Sequence, residues 1–367
     1  VNFLGSNILF WFSVMIFSLC LQFFAGHIQI SGYYLFVVSA YIFWKYRCFK
    51  RSLSSDLHSQ LKFNFSLTVI YLLLGLLGFV IITAVAWKPL IDLLAISARL
   101  GETSWQESGW FLPWQHLIQF FVPDFFGNPS TLNYWGVWNY GEFIGYIGVI
   151  PLSIAIYTLI FVKETALRFW KIMLILALVF ILPSPIGKIF IYFKIPVLSV
   201  LQPTRLMMII DLSLAVIVAY GFKDFIDRKN GQLLTLKLLG LFYLFIWLLV
   251  IYFGFTSTGV MKINFIVAKR NLVFPSLILA AGTLLISWYT RSGNKKIKQV
   301  ILFLIIILSV FDLFRFGWKF IPFSDPKYFF PQTETIKFLQ NQKKPFRIAS
   351  LDKRILPPNA NAYYGLE

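Results

Sequence analysis

Eight apolar runs, each close to the length that carries a helix across a lipid core, set the terms for this sequence: 4–24, 28–44, 63–87, 143–162, 206–222, 233–254, 272–289 and 299–316. A ninth, 170–182, is shorter. A hydrocarbon core ~30 Å thick takes ~20 helical residues to cross. Inside it no water satisfies the backbone, so a segment of this kind can cross only as a helix that satisfies itself. Charged residues make up 13% of the chain against 58% hydrophobic ones, roughly half the charged share of a soluble protein. The expected fold is an all-α polytopic membrane protein with about nine transmembrane helices over residues 1–316.

Threading the runs alternately through a bilayer puts four short connections on one side: 45–62, 163–171, 223–237 and 290–299. They hold 16 Lys and Arg residues, whereas the longer connections opposite (25–27, 88–142, 183–205 and 254–271) hold 8. The positive-inside bias places the short connections in the cytoplasm, and the long loop 88–142 and the tail outside the cell. That loop carries 5 of the 15 acidic residues but 2 of the 33 basic ones, and 5 of the 12 tryptophans. Tryptophan favours the membrane–water boundary, where its ring and its N–H are both satisfied. The net charge of +18 is spread over loops that flank membrane runs, so it points to anionic lipid as a partner rather than to nucleic acid. Cys20 and Cys48 fall at opposite ends of this arrangement, and no disulfide is expected.

The chain opens at Val1 with no basic residue before Lys45, which leads us to expect further sequence upstream. Beyond the last run, Pro331–Gln342 is predicted to be a helix begun by proline and Phe346–Ser350 a strand. Residues 317–367 then read as the opening of an exterior α/β domain that stops in mid-fold.

Chemistry is expected around the long loop and the mouths of the runs. Pro89–Leu100 has the spacing of an interfacial helix lying flat, with Asp92, Ser97 and Arg99 on it. In Phe121–Pro151, Pro123, Gly127 and Pro129 enforce turns, and aromatic rings such as Tyr134 and Trp135 supply contact surface. Glu142 stands where the next helix is expected to begin, so it is either a helix cap or a boundary carboxylate facing a polar cavity. Asp124 is either an Asx-turn residue or a second carboxylate able to bind a hydroxyl or accept a proton. Arg205, after Gln202 and Pro203, is either a snorkelling cation or the bidentate partner of a phosphate, with Lys194 as the second choice. His27 and Gln29 form a short turn, where a histidine can donate to phosphate. Asp211 and Asp312 fall within runs, where a carboxylate faces a cavity or a partner. There is no Gly-rich phosphate loop, no HExxH, no Cys/His metal spacing and no Ser nucleophile elbow. With His27, His58 and His116 the only histidines, no dedicated zinc site is indicated.

The order GHIQ, KPLIDLLAISAR, PDFFG, YWG followed by Glu142 and YIGVIPL, then QPTR, then PPNA resembles the YfhO-like family of bacterial membrane proteins over nearly the whole chain. The resemblance implies a polytopic glycosyltransferase of the GT-C type in the bacterial plasma membrane. Such an enzyme takes a sugar from a polyprenyl-phosphate carrier and passes it to a cell-envelope polymer or glycolipid. It also implies an outward-facing site built from the long loop and the helix mouths, and a catalytic carboxylate in an exterior loop before GHIQ, upstream of Val1. The lipid-linked donor is the one cofactor-like molecule expected; the sequence leaves the need for a divalent metal open. Two rivals share the same residues. One is a transporter or flippase for a lipid-linked sugar, for which Pro183–Pro196 is the candidate helix break, and the other a non-catalytic protein that binds envelope polymer.

Overall fold

The computed structural model describes residues 8–52, 65–96, 109–138, 140–195, 198–227, 231–320, 323–348 and 360–366. The chain divides into two compact units, Val1–Phe316 and Gly317–Glu367. Among the described residues every regular element is a helix. The larger unit contains α1 (Ile8–Phe24), α2 (Ile28–Ser52), α3 (Phe65–Ile96), α4 (Val149–Phe161), α5 (Thr165–Ile181), α6 (Met207–Asp227), α7 (Gln232–Thr256), α8 (Gly259–Arg291) and most of α9 (Lys295–Phe320). Among the described residues, five stretches are long and apolar enough to cross a membrane: Leu73–Leu93, Pro203–Ile226, Gln232–Thr256, Gly259–Arg291 and Lys295–Phe320.

Several boundaries differ from those expected. The run at 63–87 does not stop at Lys88, since α3 continues through Pro89 to Ile96. The expected flat helix is thus the end of a long one, at least as far as it is described. Proline removes one backbone donor, but in an apolar helix the turns on both sides hold the axis. Ser97, Arg99, Glu102, Trp105 and Glu107 lie outside the described residues, as does 53–64. The run at 143–162 yields only the 13 residues of α4, ~20 Å at ~1.5 Å per residue. Gly148, with φ 93°, ends the preceding irregular segment and starts the helix. The connection expected at 254–271 shrinks to Ser257 and Thr258, because α8 runs for 33 residues through Pro275. Among the described residues between α5 and α6, the backbone is irregular apart from one helical turn, Ile189–Tyr192, and short 3-10 segments.

Two large groups of buried side chains, with a smaller third of Cys20, Phe23 and Phe79 between α1 and α3, form the core of the larger unit among the described residues. One joins α4, α7 and α8 through residues such as Ile150, Ile246, Val250 and Leu272; the other joins α4, α5 and α6 through Ala155, Leu167, Ile181, Ile210 and Ile217. Helices in a membrane approach one another where side chains are small. At Gly221 of α6, a Cβ would stand 1.7 Å from Thr158 Oγ1 of α4.

In the smaller unit, α10 (Glu334–Gln340) starts from Thr333, whose Oγ1 accepts the Ile336 N–H at 3.3 Å. The threonine cap, not Pro331, sets this boundary. Gln340 Nε2 donates to Tyr364 O of α11 (Ala360–Tyr364) at 2.8 Å. The strand expected at 346–350 is not formed over Phe346–Ile348. Those residues have no neighbouring strand among the described residues, and Phe346 and Ile348 instead pack on Ile336, Ala360 and Tyr364. Ala349, Ser350 and Pro357–Asn359 lie outside the described residues.

Gly221→Ala should lower the thermal midpoint of the detergent-solubilised protein, by the ~1–3 kcal/mol typical of overpacking. Thr158→Ala in the same chain should recover part of the loss, and a midpoint unchanged by Gly221→Ala would contradict the close approach of α4 and α6.

Candidate functional site

Three short segments that are distant in sequence meet around Arg205. The first is the α1–α2 turn, where Gly26 at φ 95° reverses the chain and delivers His27 and Gln29 to the start of α2. The second is Gln202–Leu206, where Pro203 opens a 3-10 turn that leads into α6. The third is the 3-10 turn Tyr140–Glu142. Arg205 Nη2 donates to Glu142 Oε1 at 3.5 Å and to Gln202 Oε1 at 3.2 Å, and Nη1 meets His27 Nε2. Thr204 Oγ1 donates to Glu142 Oε2. The Gln29 amide grips the backbone of Gln202 twice, donating to its carbonyl at 2.7 Å and accepting its N–H at 3.4 Å, and it also donates to Tyr33 Oη at 2.9 Å.

The Arg205 and Glu142 side chains are 26% and 25% exposed, so the pair is reachable from solvent and partly screened by it. The amino-terminal ends of α2 and α6 add positive potential to the same place. A guanidinium offers five N–H donors. Three protein groups engage Arg205 among the described residues, which leaves donors for an oxyanion.

A rigid aromatic loop carries Glu142 to this position. His116 is fully buried, and its Nε2 accepts the Val137 N–H at 3.2 Å. Nδ1 must then hold the proton and donate to Gln119 Oε1, 2.5 Å away. Gln119 Nε2 continues the chain to Pro123 O at 3.0 Å. Burial pulls the His116 pKa below its ordinary 6.5, against the opposing Gln119 hydrogen bond. Asp124 Oδ1 accepts from Asn128 Nδ2 at 3.0 Å and from Tyr140 Oη at 2.7 Å. Burial, then the Asp124 charge, pushes the Tyr140 phenol far up, which keeps it a donor. Tyr134 Oη donates to Val137 O, and Trp135 packs edge-on against Phe126 at 4.7 Å.

The sequence-predicted residues therefore separate. His27, Gln29, Glu142, Gln202 and Arg205 gather in one cluster. Asp124, 5% exposed, is tied into the loop through its side chain. Asp312 is also buried, and its Oδ2 accepts the Tyr146 hydroxyl at 2.7 Å and the Val149 N–H at 3.0 Å. It is the acceptor at the start of α4, the role considered for Glu142; Glu142 itself lies seven residues before that helix. Lys194 is exposed on a turn at φ 48° and has no bond to Arg205 or its partners among the described residues. Asp211 lies within α6, with Oδ1 buried and without a hydrogen-bond partner among the described residues. Sequence reasoning did not pick out Thr204, His116, Gln119, Asn128 or Tyr140. Of these, Thr204 was open to detection through its place inside the QPTR segment.

Compared with known proteins, the chain matches no family model, no curated protein and no solved structure.

The His116 relay predicts a pH response. A histidine kept neutral by the fold binds protons less readily there than in the unfolded chain. Its contribution is complete above pH 6.5 and is lost as pH falls through the depressed folded value. The thermal midpoint in detergent should fall on acidification from about pH 7.5 to about pH 5, and His116→Gln should flatten that dependence. An unchanged slope in the variant would remove His116 as its source.

Proposed function

We propose that this protein is a multi-pass glycosyltransferase of the bacterial plasma membrane that moves a sugar from a polyprenyl-phosphate carrier to a cell-envelope acceptor on the outer face. The observation that carries the reading is the meeting of GHIQ, Glu142 and QPTR around one guanidinium. Those are motifs on which the chain resembles the YfhO-like family, and the charge bias of its loops favours an outward orientation.

In the transfer, an acceptor hydroxyl attacks the anomeric carbon and gives its proton to a carboxylate, while the carrier leaves as polyprenyl phosphate. Charge grows on the departing phosphate oxygen, and a fixed guanidinium stabilises it most in the transition state. Arg205 fits that task because Glu142, Gln202 and His27 hold it in place. Glu142 has both carboxylate oxygens engaged, by Arg205 and by Thr204. This suits it better to positioning Arg205 than to accepting the acceptor's proton, a step left to another carboxylate.

A second reading, transport of the lipid-linked sugar, draws on the irregular backbone between α5 and α6, since interrupted helices are where transporters bind their cargo.

In the full-length protein supplied with polyprenyl-phosphate sugar, Arg205→Ala should slow release of free polyprenyl phosphate by ~10²-fold or more with unchanged membrane insertion. Unchanged release would overturn the assignment. Relocation of intact carrier without any release would favour transport.

A further inference from the structure

Away from the Arg205 cluster, an open apolar groove of about 440 Å³ lies between the successive helices α8 and α9, lined by residues that include Ala281, Leu284 and Leu285 on one side and Leu304, Ile307 and Phe311 on the other. The slot opens sideways on the surface of the bundle, where Leu284 is 72% and Phe311 53% exposed. Its volume falls within the ~300–1,000 Å³ range of small-molecule sites, yet its lining offers almost nothing polar for a sugar or a peptide to bond.

What lies at one end of the slot is different. On α9, Leu304, Ile307, Phe311 and Arg315 follow one another at helical spacing along a single face, and on α8 so do Arg270, Phe274, Ala281, Leu284 and Leu285. The helices are antiparallel neighbours joined through 292–294, so both arginines fall at the same end. There the Phe274 and Phe311 rings stand 5.9 Å apart, and the Arg315 guanidinium lies 3.5 Å from the centre of Phe274. Asp312 is near Arg315 on the same helix, but its Oδ2 is taken by Tyr146 and Val149. Among the described residues, neither Arg270 nor Arg315 has a hydrogen-bond or ion-pair acceptor in the protein.

We propose that this slot is a binding site for an anionic phospholipid, with one acyl chain between α8 and α9 and the headgroup phosphate on Arg315 and Arg270. An apolar groove with two guanidinia at one end, neither hydrogen-bonded to a protein acceptor among the described residues, matches an amphiphile with a phosphate at its head. Arginine is the side chain whose planar fork meets phosphate through paired bonds. The Phe274 ring helps hold Arg315 where such a headgroup would lie. The site is separate from the Arg205 cluster, so it does not depend on the transfer reading.

The test uses the purified full chain in detergent micelles, with dioleoyl phosphatidylglycerol or dioleoyl phosphatidylcholine added, and counts bound lipid by native mass spectrometry. The wild type should retain phosphatidylglycerol in clear preference to phosphatidylcholine. Arg270→Gln with Arg315→Gln should weaken that retention roughly tenfold or more, as loss of charge-assisted bonds implies. Ala281→Phe, which fills the slot and leaves both arginines in place, should do the same. Equal retention of the two lipids by the wild type, or unchanged phosphatidylglycerol binding in either variant, would overturn the site. Retention of added polyprenyl phosphate in place of phosphatidylglycerol would assign the slot to a carrier lipid and overturn the phospholipid proposal.

Discussion

A single buried carboxylate fixes where the central helix of the larger unit begins. Asp312 reaches from α9 to the first turn of α4 and takes the Val149 N–H and the Tyr146 hydroxyl. A helix N-terminus leaves backbone donors unsatisfied, and leaving them so inside a membrane protein is costly. A carboxylate there satisfies two donors and sits favourably against the helix dipole. The contact spans 163 residues, so it also ties the last long helix to the middle of the chain. Gly148 completes the start of α4 by taking a backbone conformation that side chains disfavour.

From that fixed point the irregular segment before α4 can be placed. Phe143 is fully buried and its ring stands 4.7 Å from His116. His116, in turn, holds Val137 and, through Gln119, the Pro123 carbonyl. Asn128 and Tyr140 close a second set of bonds on Asp124. An aromatic loop of this kind gains rigidity from buried polar groups that are mutually satisfied. The consequence for function is positional, because Glu142 reaches Arg205 from a frame held at both ends.

Much of the helical framework was legible in the sequence because apolar runs of membrane length have few other outcomes. The exceptions follow from local chemistry that hydropathy does not register. Lys88 and Pro89 look like a boundary, yet the helix passes through them. Residues 259–271 carry Lys262, Lys269 and Arg270 and so look like a loop, yet they are the first turns of α8. The candidate site was legible as residue types: His27, Gln29, Glu142, Gln202 and Arg205 were singled out and do come together. Their partners were not legible, since Gln29 meets Gln202 across 173 residues and Glu142 meets Thr204 across 62. Glu142 and Asp312 show the limit most clearly. Both are carboxylates near a helix start in the folded chain, but only the distant one in sequence caps it.

The arginines of the larger unit divide by what the fold gives them. Arg205 is held by an amide, a carboxylate and an imidazole, and a guanidinium fixed in this way can meet a developing charge without reorganising. Its neutralising partner Glu142 lowers the local positive charge, which disfavours tight retention of a resting phosphate. On the transfer reading proposed above, that restraint would help the carrier leave, because ground-state binding as strong as transition-state binding adds nothing to the chemical step. Arg315 has the opposite setting: an aromatic face beneath it, no protein acceptor among the described residues, and an apolar slot one helical turn away. The same side chain thus has two settings: at Arg205 a carboxylate is hydrogen-bonded to the guanidinium, whereas at Arg315 the nearby carboxylate, Asp312, gives its Oδ2 to Tyr146 and Val149 instead.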